Sequence, residues 1–165
     1  MALYHYVPDK AGLVKLVVEA SLSEHPLPGP TGDWREDLWQ IAAWMRQMAL
    51  AHPTAGGLRQ RYKVWTPAVF PITERWVNVW QQSGLQLEAA VTAAIASSKA
   101  VTGMVSEEAT YAEIDLPDLD DLALLPSARM LFTSSRDLTK DFELMVRSVI
   151  DGAFSRLGGA AGSSV

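Results

Sequence analysis

The 165-residue chain contains no cysteine and only three histidines, and these shortages remove several kinds of site. Without cysteine there can be no disulfide, no thiolate nucleophile and no cysteine-ligated zinc. The histidines, His5, His25 and His52, do not have the spacing of a metal-binding motif. His52 precedes Pro53 at a predicted helix end, where an imidazole commonly serves the terminal carbonyls. We therefore expect no metal and no cofactor.

The sequence also lacks the motifs of the common enzyme classes and of membrane proteins. It has no P-loop, no G-x-G-x-x-G, no G-x-S-x-G and no H-E-x-x-H. Its strongly apolar stretches are interrupted by polar or charged residues well before the roughly 18 residues that a membrane span needs, and the N-terminus has no apolar signal core. We expect a cytoplasmic protein that is not an enzyme and has no membrane partner.

Composition favours a single folded domain with an acidic surface. Hydrophobic residues make up 48% of the chain and charged residues 20%, which is enough apolar material for a core. Fourteen basic against 19 acidic residues give a net charge of -5. This balance argues against an electrostatic grip on nucleic acid by the whole molecule, although a local basic edge remains compatible with it.

Apolar residues recur at helical spacing along nearly the whole chain, and the predicted fold class is therefore all-α. Asp9 and Asp33 are predicted N-caps, and Asp33 has capping-box spacing to Glu36. Pro71 is expected either to kink its helix or to restart it. Residues 106–126 are acidic and interrupted by proline, and we interpret them mostly as loop. The predicted helices cover residues 10–23, 33–52, part of 53–66, 67–83 and 85–105, and a last helix runs from about 136 or 139 to 157, after a short apolar patch at 128–132.

Tryptophan is concentrated in one part of the chain, since all six lie between positions 34 and 80. Ordinary core packing is the simplest interpretation of any one of them. Helix bundles also hold ligands between their helices, in pockets with apolar and aromatic walls. Methionine makes such a wall adaptable, and tryptophan adds a stacking face. The residues predicted to line such a cavity are Trp44, Met45, Met48, Trp65, Trp76 and Trp80.

The opening segment resembles a signature of TetR-type (tetracycline-repressor-like) transcriptional regulators. Residues 2–13, ALYHYVPDKAGL, are similar to the end of that family's DNA-binding region, where a recognition helix is followed by a turn and by the next helix. Residues 33–38 followed by His52-Pro53 resemble the family's first core helix. Ser83-Gly84-Leu85 resembles the break before a long helix of the dimer interface, and residues 142–157 resemble the final helix. The likeness extends over nearly the whole chain.

The resemblance implies a division into three parts. Residues 1–9 would be a remnant of the recognition helix and turn, residues 10–157 a ligand-binding and dimerisation domain, and residues 158–165 a flexible tail. Tyr4 and His5 would lie at the DNA backbone, and Lys10 at a helix start would meet a phosphate. Most of the helix-turn-helix would precede Met1, so we expect operator binding in the full-length parent and weak or no specific binding by this chain.

The resemblance also implies a homodimer that responds to a small hydrophobic or aromatic effector. Two chains would pair through their last two long helices into a four-helix interface with two-fold symmetry. The effector would occupy the cavity and control operator binding by shifting a population of conformations. A helical adaptor for a protein partner remains the alternative, and it would expose a large apolar face as a monomer. The predicted interface residues are Val91, Ile95, Val101, Phe142, Val146, Val149 and Ile150.

Overall fold

The computed structural model describes residues 9–62, 65–110 and 118–158, apart from the side chains of residues 56, 59, 60 and 110. This part of the chain is helical without any strand, as predicted. Tyr4, His5 and nearly all of the segments 1–9 and 158–165 lie outside the described residues. The helices are α1 (Lys10–Glu24), α2 (Trp34–Ala51), α3 (Pro53–Tyr62), α4 (Phe70–Gln82), α5 (Leu87–Thr110), α6 (Pro126–Thr133) and α7 (Leu138–Gly158).

The helix boundaries follow from capping residues and prolines. The carboxylate of Asp9 accepts a hydrogen bond from the Gly12 N–H at 2.7 Å, and that of Asp33 accepts one from the Arg35 N–H at 2.8 Å. Both predicted N-caps are thereby confirmed. Pro71 lies in the first turn of α4, after a short 3-10 turn, where the missing N–H of proline costs nothing. It therefore starts the helix rather than kinking it.

The predicted loop at residues 106–126 is wrong at its N-terminal end and agrees with the structure near its C-terminal end. Helix α5 continues as far as Thr110, and residues 118–125 form turns that lead into α6. Residues 111–117 lie outside the described part of the chain. The apolar patch at 128–132 belongs to α6, which buries none of its residues, and Met130 and Leu131 are both more than half exposed.

The main core lies between α2, α4, α5 and α7. Helix α5 contacts the other three, and α2 also contacts α4 and α7. The side chains at the centre expose 2% or less of their surface: Leu38, Ile41, Trp80, Val101, Val146 and Ile150. A second, smaller cluster joins α1 to the turn before α4 through Val14, Val18 and Val69. The space between these two clusters contains the candidate site.

Helix α5 corrects the expectation that no segment has the length and composition of a membrane span. Residues Leu87–Ala109 meet both criteria, and a third of the best 18-residue window is buried. Alanine and valine raise the hydropathy of this helix, and its many alanine and serine side chains are small. Its contacts with α2, α4 and α7 are those of a central core helix, since a core helix meets apolar neighbours on several sides.

Ion pairs connect α2 to the helices on either side of the core. Arg46 forms a two-pronged hydrogen bond with Glu108 of α5, with its Nε 2.6 Å from Oε2, and both side chains are largely buried. This hydrogen bond raises the pKa of Arg46 above its usual value. Arg147 of α7 pairs with Glu143 on its own helix and with Glu36 of α2 at 3.2 Å. Glu36 therefore forms an ion pair with another helix and does not complete the predicted capping box. The carboxylate of Asp33 alone caps α2.

Candidate functional site

A cavity of about 880 Å³ lies between the main core and the smaller cluster. Helices α1 to α5 all contribute to its wall, together with the turn before α4. Ligand pockets in proteins commonly span roughly 300–1,000 Å³ and have mostly apolar walls with a few polar groups. The cavity therefore has the volume and the lining of a site for a small organic molecule.

The apolar wall consists largely of the predicted tryptophan and methionine residues. Trp44, Met45 and Met48 line it from α2, Trp76 lines it from α4, and Trp65 lines it from the segment before α4. Met48 and Trp76 are almost fully buried, whereas Trp65 is 60% exposed. Trp65 therefore lies where the cavity opens to solvent.

Trp80 does not line the cavity, and the prediction for this residue is corrected. Its side chain is completely buried in the main core, and its Nε1 donates a hydrogen bond to the Oγ of Ser97 at 3.2 Å. Trp76 lies one turn earlier on α4 and donates to the same oxygen at 3.1 Å. One helical turn advances about 5.4 Å along the axis, which is enough to carry Trp80 past the cavity floor.

Helix α5 supplies a wall that the sequence prediction missed. Val91, Ile95, Ser98 and Thr102 line the cavity from this helix, and Lys99 lies beside them. Ser98 and Thr102 are four residues apart, which places two hydroxyl groups on one side of a helix. This polar spacing within an alanine-rich helix was a usable signal. The cavity thus has an indole and thioether side on α2 and α4, and a more polar side on α5.

The predicted dimer-interface residues are in three different places. Val101, Phe142, Val146 and Ile150 are buried within one protomer, because α5 and α7 pack against each other there. Val91 and Ile95 line the cavity, and Val149 is half-buried on α7. The prediction is corrected for the four buried residues, since a side chain that exposes 2% or less of its surface cannot contact a second copy. Val91 and Ile95 are 37% and 50% exposed, and for them and for Val149 the interface role stays a prediction. A stripe of apolar residues predicts that one side of a helix is buried. It does not predict whether the same chain or a second copy covers that side.

A cluster of two histidines and a glutamate lies at one end of the cavity. His52, the residue after α2, lines the cavity, and its Nε2 is 3.3 Å from the Oε2 of Glu24, the last residue of α1. The rings of His25 and His52 meet edge to face, with centroids 5.7 Å apart. The indole Nε1 of Trp44 donates to the backbone carbonyl of His25 at 3.1 Å. Sequence spacing gave no sign of this cluster.

The part of the predicted DNA contact that the structure describes is Lys10. It is the first residue of α1 and is exposed, directly after the Asp9 cap. Tyr4 and His5, the other two predicted contacts, lie outside the described residues.

The fold has counterparts among known proteins. Residues 25–155 match the family described as the tetracyclin repressor-like, C-terminal domain. Because the match covers most of the chain, the protein belongs to this family and is the ligand-binding domain of a TetR-type transcriptional regulator. A comparison with curated protein sequences found no match.

Three solved structures illustrate the likeness. ActR, a TetR family protein of Streptomyces coelicolor, was solved with (S)-DNPA; it is 26% identical with a TM-score of 0.72, over 95% of this chain and 81% of ActR. ActR was also solved with actinorhodin, at 25% identity and a TM-score of 0.72, over 96% and 81% of the two chains. A TetR variant of Acinetobacter baumannii AYE was solved with minocycline, at 25% identity and a TM-score of 0.65, over 94% and 78%.

Proposed function

We propose that this chain is the effector-sensing and dimerising part of a cytoplasmic regulator whose operator binding is controlled by a flat, largely apolar aromatic compound. The observation that carries the proposal is the cavity of about 880 Å³ with indole and thioether walls. The ligands of the similar structures, among them actinorhodin and minocycline, support a small-molecule effector. In the full-length regulator the exposed Lys10 at the start of α1 would contact a DNA phosphate.

The chemistry of the cavity walls defines the class of effector. The faces of Trp44 and Trp76 are suited to stacking against a planar ring system, because aromatic groups prefer offset or edge contacts with one another. The side chains of Met45 and Met48 can adapt to the outline of that ring system. On α5 the Thr102 hydroxyl can donate to an oxygen substituent, and the Ser98 Oγ, which itself donates to the carbonyl of Ile95 at 3.1 Å, can accept from a hydroxyl substituent. A multi-ring compound with oxygen substituents satisfies both sides.

Trp44 connects the cavity wall to the end of α1. Its indole forms part of the wall and also holds the carbonyl of His25, directly after α1. Val18, Ser21 and Leu22 bring α1 itself to the cavity. An effector that binds more tightly to one arrangement of these groups shifts the population toward it. The shift changes the position of α1, to which the DNA-reading part of the regulator is joined.

The dimer surface is proposed on the sides of α5 and α7 that face away from the cavity and the protomer core. On α5 this side carries Thr92, Ala96 and Gly103, all exposed, and small side chains allow close approach of a second helix. On α7 the corresponding side carries Met145, which is 39% exposed, and the half-buried Val149. Two copies of these helices form a symmetric four-helix contact.

Effector binding is tested by tryptophan fluorescence during titration with planar aromatic compounds. The variants Trp44→Phe and Trp65→Phe, which change the cavity wall, are expected to reduce the quenching amplitude and weaken binding about tenfold or more. Trp39→Phe is the matched control, because Trp39 packs against Phe142 on the other side of α2. Equal quenching in all three variants would show that the compounds bind elsewhere.

The dimer is tested by light scattering after size-exclusion chromatography. We expect twice the chain mass for the unchanged protein and a monomer for Ala96→Glu, since the introduced carboxylate would be buried against a second copy. Ala20→Glu makes the same change on the exposed side of α1 and is expected to remain dimeric. A monomeric unchanged protein would contradict the dimer and favour the adaptor interpretation.

A further inference from the structure

We propose that Glu24, His25 and His52 form a binding site for a divalent late transition-metal ion, represented by Zn²⁺. The ligand atoms of these three side chains all lie within 4.8 Å of one another. Glu24 and His25 come from the end of α1, and His52 comes from the end of α2. The site lies at one end of the cavity, which His52 lines, but its test is independent of the proposed effector function because binding the ion requires neither an effector nor DNA.

The distances within the cluster fit a metal ion better than a hydrogen bond. The Nε2 of His52 lies 3.3 Å from the Oε2 of Glu24, yet this nitrogen is buried and makes no hydrogen bond to a protein group. Tetrahedral coordination with bonds of about 2.0–2.1 Å places neighbouring ligand atoms roughly 3.3 Å apart. The pair already has the spacing of two ligands on one Zn²⁺ ion.

The second histidine supplies a further buried nitrogen without a partner. The Nδ1 of His25 is buried and makes no hydrogen bond to a protein group. Buried polar atoms are nearly always paired, so two unpaired imidazole nitrogens in one cluster point to a shared ligand. A single proton could form a hydrogen bond between only two of the three ligand atoms at a time. A metal ion accepts both nitrogens and the carboxylate together.

The chain holds the three ligands in position through its backbone. The indole of Trp44 donates to the carbonyl of His25, and the backbone N–H of His52 donates to the carbonyl of Met48 at 2.9 Å. Residues 25–33 run back along α2, because His25 lies beside Trp44 whereas Thr31 hydrogen-bonds to Asp37. Helices α1 and α2 therefore end close together.

The donor set selects the kind of metal. Two imidazoles and one carboxylate form a zinc site with one coordination position left for water. Mg²⁺ and Ca²⁺ prefer oxygen ligands and are disfavoured here. The Glu24 side chain is 60% exposed, which gives the ion a path from solvent. The bound ion would connect the end of α1 to the end of α2 and so restrict the movement of α1.

The experiment uses the full chain after removal of metals with a chelator. Zn²⁺ is titrated in competition with a coloured chelator, and Co²⁺ is used as an absorbing substitute that reports the coordination geometry. We expect one ion per chain and a tetrahedral Co²⁺ spectrum. His25→Ala and His52→Ala should each weaken binding at least about 100-fold, because even groups that only support a metal ligand contribute 10–100-fold. His5→Ala changes the remaining histidine and should bind as the unchanged chain does.

Two further measurements keep the result independent of folding. Glu24→Gln and His52→Gln preserve the size and polarity of the side chains, and circular dichroism checks that every variant is helical before titration. Zn²⁺ should raise the Tm of the unchanged chain and of His5→Ala, and should leave the Tm of the cluster variants unchanged. Binding that is equal in folded His25→Ala and His5→Ala, or no binding by the unchanged chain, would overturn the proposal.

Discussion

Helices α2, α4 and α5 are packed very differently on their two sides. Toward α7 they form a solid core, in which Leu38, Ile41 and Trp80 have no exposed surface. Toward α1 the same helices border a cavity of about 880 Å³. Close packing on the side toward α7 fixes the relative positions of the helices, whereas the side chains on the cavity side have fewer close neighbours. The difference also predicts where substitutions will affect stability and where they will affect binding.

The largest difference in the free energy of unfolding is expected between a side-chain truncation in the core toward α7 and one on the cavity wall. Leu38→Ala removes a fully buried side chain from the solid side and should lower the free energy of unfolding by about 2–5 kcal/mol. Ile95→Ala removes a side chain that is half exposed on the cavity wall and should cost less than about 1 kcal/mol. Urea denaturation measures both values. Equal losses would remove the distinction between the two sides.

A smaller effect is expected at the hydroxyl group between the tryptophans. Within the described part of the chain the buried Trp80 Nε1 donates to the Oγ of Ser97 alone, and Ser97→Ala removes this acceptor, whereas Trp76 keeps the carbonyl of Ala94 at 3.2 Å. A buried donor without a partner costs about 1–3 kcal/mol. Ser98→Ala, the next residue and on the cavity side, is the control and should cost less than about 0.5 kcal/mol. A loss at Ser98 as large as that at Ser97 would contradict this assignment.

A comparable loss of about 1–3 kcal/mol is expected for Arg46→Met, which keeps the length of the side chain and removes its charge. The substitution leaves the largely buried carboxylate of Glu108 without its two-pronged partner. Thermal denaturation of Arg46→Met, of Glu108→Gln and of the double variant measures the coupling between the two residues. Additive losses would mean that the ion pair does not contribute to holding α2 against α5.

The smallest effect concerns the start of α7 and depends on pH. Asp137 accepts hydrogen bonds from the N–H groups of Lys140 and Thr139, and the bond from Lys140 is the main cause that lowers the pKa of Asp137 below its usual value of 3.8. The stabilisation is therefore present above the usual value and is lost as the pH falls through the lowered one. Asp137→Asn should be slightly less stable than the unchanged chain at neutral pH and equal to it in acid. A difference that persists in acid would contradict this role.

Most of the helical framework could be predicted from the sequence, because its boundaries depend on local signals. Asp9, Asp33, Pro53 and Pro71 each mark a helix end by capping or by the absence of an N–H group. The tryptophan and methionine side of the cavity was also predictable, apart from Trp80. Capping residues, prolines and the spacing of apolar residues act within a few residues along the chain, so they can be identified from the sequence alone.

The remaining features depend on which helix packs against which. Val91 and Val101 carry the same apolar signal on α5, yet one lines the cavity and the other is in the core. The cluster of Glu24 and His52 forms because residues 25–33 return along α2, and no local pattern encodes that path. Long-range packing of this kind cannot be inferred from helical periodicity alone.

The position of α5 has a consequence for how stiff the molecule is. This helix of 24 residues, about 36 Å long, is supported along one flank by α7 and bordered along the other by the cavity. On the cavity side the helix has room to bend. A guest that fills that room removes the bending freedom, so amide hydrogen exchange along the middle of α5 should slow even where no atom of the guest touches the backbone.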